Sequence, residues 1–313
     1  MRRKYLVFQD VHVMMFIGFG YLLILMKRSD HKSLISYFLV TAISLQWGTL
    51  CYGFFRTING KIHWRLTPKH LLNADFACAA VLISCAAVAE LTTPLQIFLM
   101  SLLEIILYST NNWIGSLASD VGSSMFVHVF GAYFGLAVSF VLYRGTAYCA
   151  ERQSSKDEAS NDSIGETLST AVGTMFLWLL WPSFNACLAK GDAEQFRAII
   201  NTYYSLSASC VTAFAVSSLV FNCFVVFQNS TLVGGVVIGT SADMMINIWG
   251  AMIIGGLAGA GSIFINRFST VSDNLDIMAL NFGSSIKGVI SLHGIPGIVA
   301  GFVGAIVSAA ATI

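Results

Sequence analysis

The sequence predicts an all-α integral membrane protein of about ten transmembrane helices in an inverted five-plus-five repeat. Three observations point there. Of 313 residues, 56% are hydrophobic and 11% charged, against roughly 45–50% and about 25% in soluble domains. So few charges cannot coat a soluble particle of this size, and a bilayer is the remaining solvent. The apolar residues gather in about ten windows near the ~20-residue length that crosses hydrocarbon. The longest polar connection, 144–166 with its run Glu151-Arg-Gln-Ser-Ser-Lys-Asp-Glu158, divides them into two groups of five. Five is odd, so the second group enters the membrane from the opposite side to the first.

In order, the windows are 9–26, 34–55, 71–92, 94–114, 122–143, 168–188, 200–227, 231–247, 248–266 and 291–312. The stretch 231–266 is long enough for two spans. Shorter polar connections fall near 27–33, 56–70, 189–199 and 267–290. One transmembrane domain, 1–313, is expected, with halves at about 8–143 and 167–313. The halves carry an internal echo: His128 leads Gly131, Ala132 and Gly135, and His293 leads Gly294, Gly297 and Gly301. Small residues at helical spacing let neighbouring helices approach closely. Arg2, Arg3 and Lys4 before the first window balance Lys27, Arg28 and Lys32 after it, so the positive-inside rule leaves the orientation open. The N-terminus runs directly into a full span, without the cleavage site of a secretory signal.

Composition excludes several classes. A net charge of +1 gives no basic surface for nucleic acid. The seven cysteines form no CxxC pair, and all but Cys149 lie in apolar segments, as small buried hydrophobes. There is no P-loop, GxSxG or HExxH motif, so neither an ATP-driven pump nor an enzyme is expected, and no cofactor is implied.

Ionisable groups within hydrocarbon cost about 2.5–3.5 kcal/mol each on insertion scales, so each needs an account. Of six histidines, His31, His63 and His70 fall in loops, His12 at the edge of the first span, and only His128 and His293 inside spans. Either could be a helix-packing residue. One in each half at matching places favours a shared site, in which two neutral imidazoles hydrogen-bond and each keeps a ring nitrogen for a small polar solute. Metal binding would need a third or fourth ligand. Asp120, eight residues before His128, is ~12 Å away along a helix, so no metal site is expected.

Asp75 begins the third span. Asp120 precedes the fifth, where a carboxylate can cap free N–H groups or attract a cation at a pore mouth; the two readings compete evenly. Glu104 in the fourth span and Asp243 in the eighth should hydrogen-bond between helices. Phe76 and Phe184 are two of 23 phenylalanines and by composition alone would be core. Pro182 should bend its helix and free a backbone carbonyl.

Phe8-Gln-Asp-Val-His-Val13, Ala74-Asp-Phe76, Gly122-Ser-Ser-Met-Phe-Val-His-Val-Phe-Gly-Ala-Tyr-Phe-Gly-Leu136, Trp181-Pro-Ser-Phe-Asn185, Asn201-Thr-Tyr203, Gln228-Asn-Ser-Thr-Leu-Val-Gly-Gly235 and Leu292-His-Gly-Ile-Pro-Gly297 occur in one order over nearly the whole chain. Together they resemble the Rh branch of the ammonium transporter (Amt/Rh) family. The resemblance implies an ammonium transporter-like fold and a homotrimer, or a heterotrimer with related subunits. Each subunit would hold a pore for ammonium or ammonia across the plasma membrane. It implies that His128 and His293 are the paired pore histidines, that Phe76 and Phe184 gate the outer mouth, and that Asp120 recruits or orients the cation. Asp75, Trp181 and Asn185 would line or support the vestibule and pore. It places the 144–166 loop in the cytoplasm, with the sequons at Asn161 and Asn229 on the unglycosylated side.

The chain departs from that pattern in three places. Rh members usually have a helix before the Phe8 motif and another after the His293 helix, so a chain lacking the family's first and last helices is expected. Many carry a vestibule glutamate where Asn112 stands. The mechanism implied is attraction of ammonium, desolvation near Phe76 and Phe184, loss of a proton because a low-dielectric site disfavours the charged form, and passage of ammonia. The rival readings are a non-conducting structural or regulatory subunit and a pore for carbon dioxide.

Overall fold

The computed structural model describes residues 2–24, 31–58, 66–89, 91–115, 117–146, 164–221, 225–274 and 284–311. Among them are ten helical segments and no strand. Segment α1 (2–24) passes through a π turn at Met14–Gly18. It is followed by α2 (His31–Ile58), α3 (Pro68–Val88) and α4 (Pro94–Gly115). Segment α5 (124–146) opens with the π turn Ser124–Val129, and α6 is Ile164–Ala186. Segment α7 (192–221) ends in the π turn Ser217–Phe221, α8 is Val225–Gly239 and α9 is Ile248–Asn274. Segment α10 (284–311) has a π turn at Ile290–Gly294. Eight of these are individually long and apolar enough to cross a bilayer. The 15-residue α8 and the α6 segment complete the bundle.

The halves repeat one neighbour pattern. In the first, α3 packs on α2 and α5, and α2 on α4; in the second, α8 packs on α7 and α10, and α7 on α9. Between halves, α1 packs along α6, and the π turn of α5 lies against α10. The bundle is turned outside in. Leu99, Leu103, Leu179, Leu257 and Phe302 are exposed, whereas Asp75, Glu104, Asn185, Thr202, Ser205 and Ser209 are buried. With hydrocarbon as solvent, polar groups must find partners inside the protein.

They do so largely through hydroxyls. Ser209 Oγ donates to the Ser230 carbonyl at 2.9 Å, Ser230 Oγ meets Ser262 Oγ at 3.1 Å, and Ser262 Oγ donates to the Ser291 carbonyl at 3.1 Å. This ladder ties α7, α8, α9 and α10 together. In the first half, Ser84 Oγ on α3 meets both the carboxylate of Glu104 on α4 and the Gly131 carbonyl on α5. Glu104 thus hydrogen-bonds between helices, as expected. Close approach makes this possible, since a Cβ on Gly131 would lie 2.7 Å from the Ala80 carbonyl oxygen.

Segment ends are where the sequence expectations need correction. The connection expected at 189–199 is helical from Asp192 onward. Its Asp192 and Glu194 depress hydropathy while favouring a helix N-terminus. The window 231–247 runs past the end of α8 at Gly239, because Met244, Met245 and Ile246 continue the apolar run without continuing the helix. Asp243 therefore lies in a half-buried turn rather than in a span, and its backbone carbonyl accepts from Arg197 Nε at 2.7 Å. His31 and His70 are first-turn residues of α2 and α3, not loop residues. His70 Nδ1 accepts from the Thr67 backbone N–H at 3.0 Å, closing a capping box ahead of Pro68. Helix α6 continues through Pro182 to Ala186. Most of the 144–166 connection, with Asn161, lies outside the described residues, as do His63, Cys149 and Cys223.

Candidate functional site: a histidine pair between the two halves

His128 and His293 are both the penultimate residue of a π turn, Ser124–Val129 in α5 and Ile290–Gly294 in α10. A π turn fits an extra residue into a helical turn and redirects the side chains around it. Here the two turns face each other, and the histidine Nδ1 atoms lie 2.9 Å apart with ring planes only 3° from parallel. Both side chains are buried, and His128 Nε2 has no hydrogen-bond partner. One Nδ1 donates and the other accepts, so the two rings hold opposite tautomers about a shared hydrogen bond.

The α5 turn is held from upstream. Asp120 Oδ1 accepts from the Ser124 N–H at 3.0 Å and the Thr240 hydroxyl at 2.8 Å. Its Oδ2 accepts from Met125 N–H at 2.8 Å and Phe126 N–H at 3.2 Å. Between Asp120 and the turn, Ser123 adopts a left-handed φ of 54°. Burial pushes the Asp120 carboxyl up from its ordinary range, and the Thr240 and backbone donors pull it back. The Ser124 hydroxyl donates to the Val236 carbonyl at 2.6 Å, tying the turn to the second half.

Around the histidines the rings form a column. Trp181 stacks on His128 at 5.6 Å and 14°, and its buried Nε1 has no partner. Phe76 and Phe184 pair at 4.5 Å, each 1% exposed, and Phe184 lies 6.0 Å from His128. On the other side of the pair, His293 lines a cavity of about 140 Å³ with Phe19, Ile83, Thr170, Gln228 and Asn229. The order along the bundle follows from helix rise. Ile83 is seven residues beyond Phe76 on α3, roughly 10 Å, and Thr170 is fourteen before Phe184 on α6, roughly 20 Å. Phenylalanine pair, histidine pair and cavity are therefore successive levels of one axis.

Asn185 sits beside this column. Its Nδ2 donates to Thr202 Oγ1 at 3.0 Å and to the Gly235 carbonyl at 2.9 Å, clasping α6 to α7 and α8. Asn112 is half-buried at the end of α4. Among the described residues no group of three or more His, Cys, Asp or Glu side chains could hold a metal ion.

Sequence reasoning missed the partner of Asp75. Asp75 Oδ1 lies 3.0 Å from His12 Nδ1 on α1. It also missed Asp10, which accepts from Ser183 Oγ at 2.6 Å, and Thr240 as a donor to Asp120. One signal was available: an ionisable group in one apolar window requires a partner in another, and His12 and Asp75 were both of that kind.

The Ammonium Transporter Family profile matches residues 1–313. The chain belongs to the Ammonium Transporter Family. Ammonium transporter Rh type A of Bos taurus is 42% identical over 310 residues, covering 97% of this chain and 70% of that relative. Rh type B of Mus musculus is 43% identical over 319 residues, covering 99% and 67%. The solved structure of Nitrosomonas europaea Rh50, a Rhesus-family channel, superposes with a TM-score of 0.80 at 27% identity, covering 97% of this family member and 79% of that chain. Mep2 of Saccharomyces cerevisiae shares the fold, with a TM-score of 0.69 at 17% identity over 96% of this chain and 71% of its own.

Proposed function

We propose that this protein conducts ammonia, taken from ammonium, along the axis Phe76/Phe184, Trp181/His128, His293 and the cavity beyond. The histidine pair carries the reading. Two imidazoles from opposite halves meet at 2.9 Å in a buried column, and His128 Nε2 and Trp181 Nε1 have no protein partner. An unpaired buried polar atom is costly, and a small hydrogen-bonding solute passing the column would relieve that cost. Phe76 and Phe184 are the constriction at which ammonium sheds water, and the neutral product is favoured there because low dielectric penalises the charged form.

Asp120 supports the pore by position. Four donors already occupy its two oxygens, so its role is to hold the turn that carries His128, and attraction of ammonium falls to other groups. Asp75, Trp181 and Asn185 line or brace the path. The working unit is a homotrimer, or a heterotrimer with related subunits, in the plasma membrane with the 144–166 loop in the cytoplasm.

The test is ammonium flux in proteoliposomes for the parent, His128→Ala and His293→Ala at equal reconstitution. Both variants insert, and both change the rate or the ammonium-to-methylammonium ratio. Parental rate and ratio in both would remove the pore assignment.

A further inference from the structure

The reading above gives Asp75 only a bracing part, yet its carboxylate is paired with an imidazole from another helix. His12 on α1 and Asp75 on α3 meet at 3.0 Å, Nδ1 to Oδ1. Asp75 is fully buried, and its second oxygen has no partner. The next residue is Phe76, half of the phenylalanine pair. The buried end of the dyad is therefore one residue along α3 from the constriction. The other end lies elsewhere. The His12 side chain is 38% exposed and lines a separate, mostly apolar groove of about 430 Å³ between α1, α2 and α3, with Leu45, Leu50, Leu66 and Leu71 among its walls and Gln46 and Thr49 as its other polar ones. Leu66 stands in the segment before α3, so the groove reaches the helix ends. The ring is fixed by Phe8, stacked at 5.2 Å, and Phe16, edge-on at 4.9 Å, one turn to either side.

We infer that His12 and Asp75 form a lateral proton port: the dyad takes the proton that ammonium gives up at Phe76/Phe184 and returns it to the groove, while ammonia continues past His128. This rests on the conduction reading above. The balance is simple. An N–H bond of ammonium breaks, its electron pair stays on nitrogen, and an O–H bond forms on the Asp75 carboxylate. With His12 starting as the Nε2–H tautomer, that proton passes to its Nδ1, giving imidazolium and restoring the carboxylate. Nε2 then loses its proton to water in the groove, and the ring, left with its proton on Nδ1, swings into the groove and exchanges protons with water to regain the starting tautomer before the next turnover. Buried carboxylate and half-exposed imidazole are the arrangement this needs: an acceptor shielded from outside, coupled to a donor that opens on the groove. A pair that merely stitched α1 to α3 would need neither the unpartnered oxygen nor the exposed ring. Among the described residues the other ionisable side chains that interact electrostatically with the dyad are Cys78 on α3 and Cys187 after α6; Asp10, two residues before His12, is engaged by Ser183.

The test compares the parent with His12→Gln and Asp75→Asn in proteoliposomes, reading ammonia entry as lumenal alkalinisation at two external pH values. One lies well below the pKa of ammonium, where nearly all substrate is charged, and the other close to it, where much is already neutral. His12→Gln keeps a hydrogen-bonding amide toward Asp75 but cannot relay a proton. Each variant is expected to lose roughly a hundredfold at the lower pH, the low end for a positioned acid–base group, and at most about twofold at the higher. If Asp75→Asn does not assemble, His12→Gln decides alone. Equal losses at both pH values, or none at either, overturn the port. A parent without flux at either pH overturns the conduction reading on which the port rests.

Discussion

Replacing Asp120 by Asn is the sharpest probe of how the histidine turn is held. An ordinary N-cap tolerates this change, because Asn caps nearly as well as Asp when one oxygen does the work. Asp120 uses both. Ser124 N–H and the Thr240 hydroxyl converge on Oδ1, and the Met125 and Phe126 N–H groups converge on Oδ2. An amide supplies one oxygen and places an NH2 where the other stood. With the NH2 at the Oδ1 position, Thr240 can rotate its hydroxyl to accept, but the Ser124 N–H is left facing a donor. With the NH2 at the Oδ2 position, two backbone N–H groups are orphaned. A buried donor without a partner costs about 1–3 kcal/mol, and the remaining bonds lose the strength that ionic acceptors add. The expected destabilisation is about 3 kcal/mol on that arithmetic, and it falls on the turn that aims His128. Asp120→Asn should therefore lose thermal stability in detergent and ammonium flux together. A variant that melts with the parent yet fails to conduct would refute this, because the charge of Asp120 would then act on the substrate directly.

Two further substitutions test the column. Phe184→Ala should cost less than the about 3–5 kcal/mol of an ordinary buried Phe→Ala change, because the ring meets Phe76, His128 and Trp181 around the proposed path, and it should raise the methylammonium-to-ammonium flux ratio; full core destabilisation with an unchanged ratio would make the ring simple packing. Gly235→Ala places a Cβ 2.7 Å from the Trp181 indole, so it should lower flux while destabilising by about 1–3 kcal/mol, the usual cost of overpacking; parental flux with the same stability loss would show that the Trp181–His128 stack is dispensable.

The spans were legible because hydrocarbon imposes one demand on every segment, and summed hydropathy measures it. Segment ends were less legible, since a helix such as α7 begins with Asp192 and Glu194, residues that suit its N-terminus and lower its hydropathy. The matched histidines were visible as an internal echo. Their contact was not, because it depends on two π turns, and the hydrophobic period of a lipid-immersed helix says little about a single inserted residue. His12–Asp75 was hidden differently. The partners stand 63 residues apart, and each had a local reading, span edge for one and span start for the other. The pairing is a property of α1 crossing α3. Asp120 was read for the right chemistry but with one oxygen in mind; that both are used follows only from Thr240, which the fold brings in from the second half.

That last contact bears on how one site is built from two halves. Each half supplies a histidine as the penultimate residue of a π turn, so each must stabilise a backbone whose ordinary ladder is interrupted. The solutions differ. In α5 the free N–H groups converge on a carboxylate, and the Thr240 and Ser124 hydroxyls tie that turn to the second half. In α10 the turn is approached from its carbonyl side, where Ser262 donates to the Ser291 carbonyl at the end of a ladder lying wholly within the second half. The α5 turn therefore depends on docking of the two halves, whereas the α10 turn is held by its own half. The histidine pair forms only when both are in register, which makes the 2.9 Å contact a consequence of the repeat closing on itself rather than of either half alone.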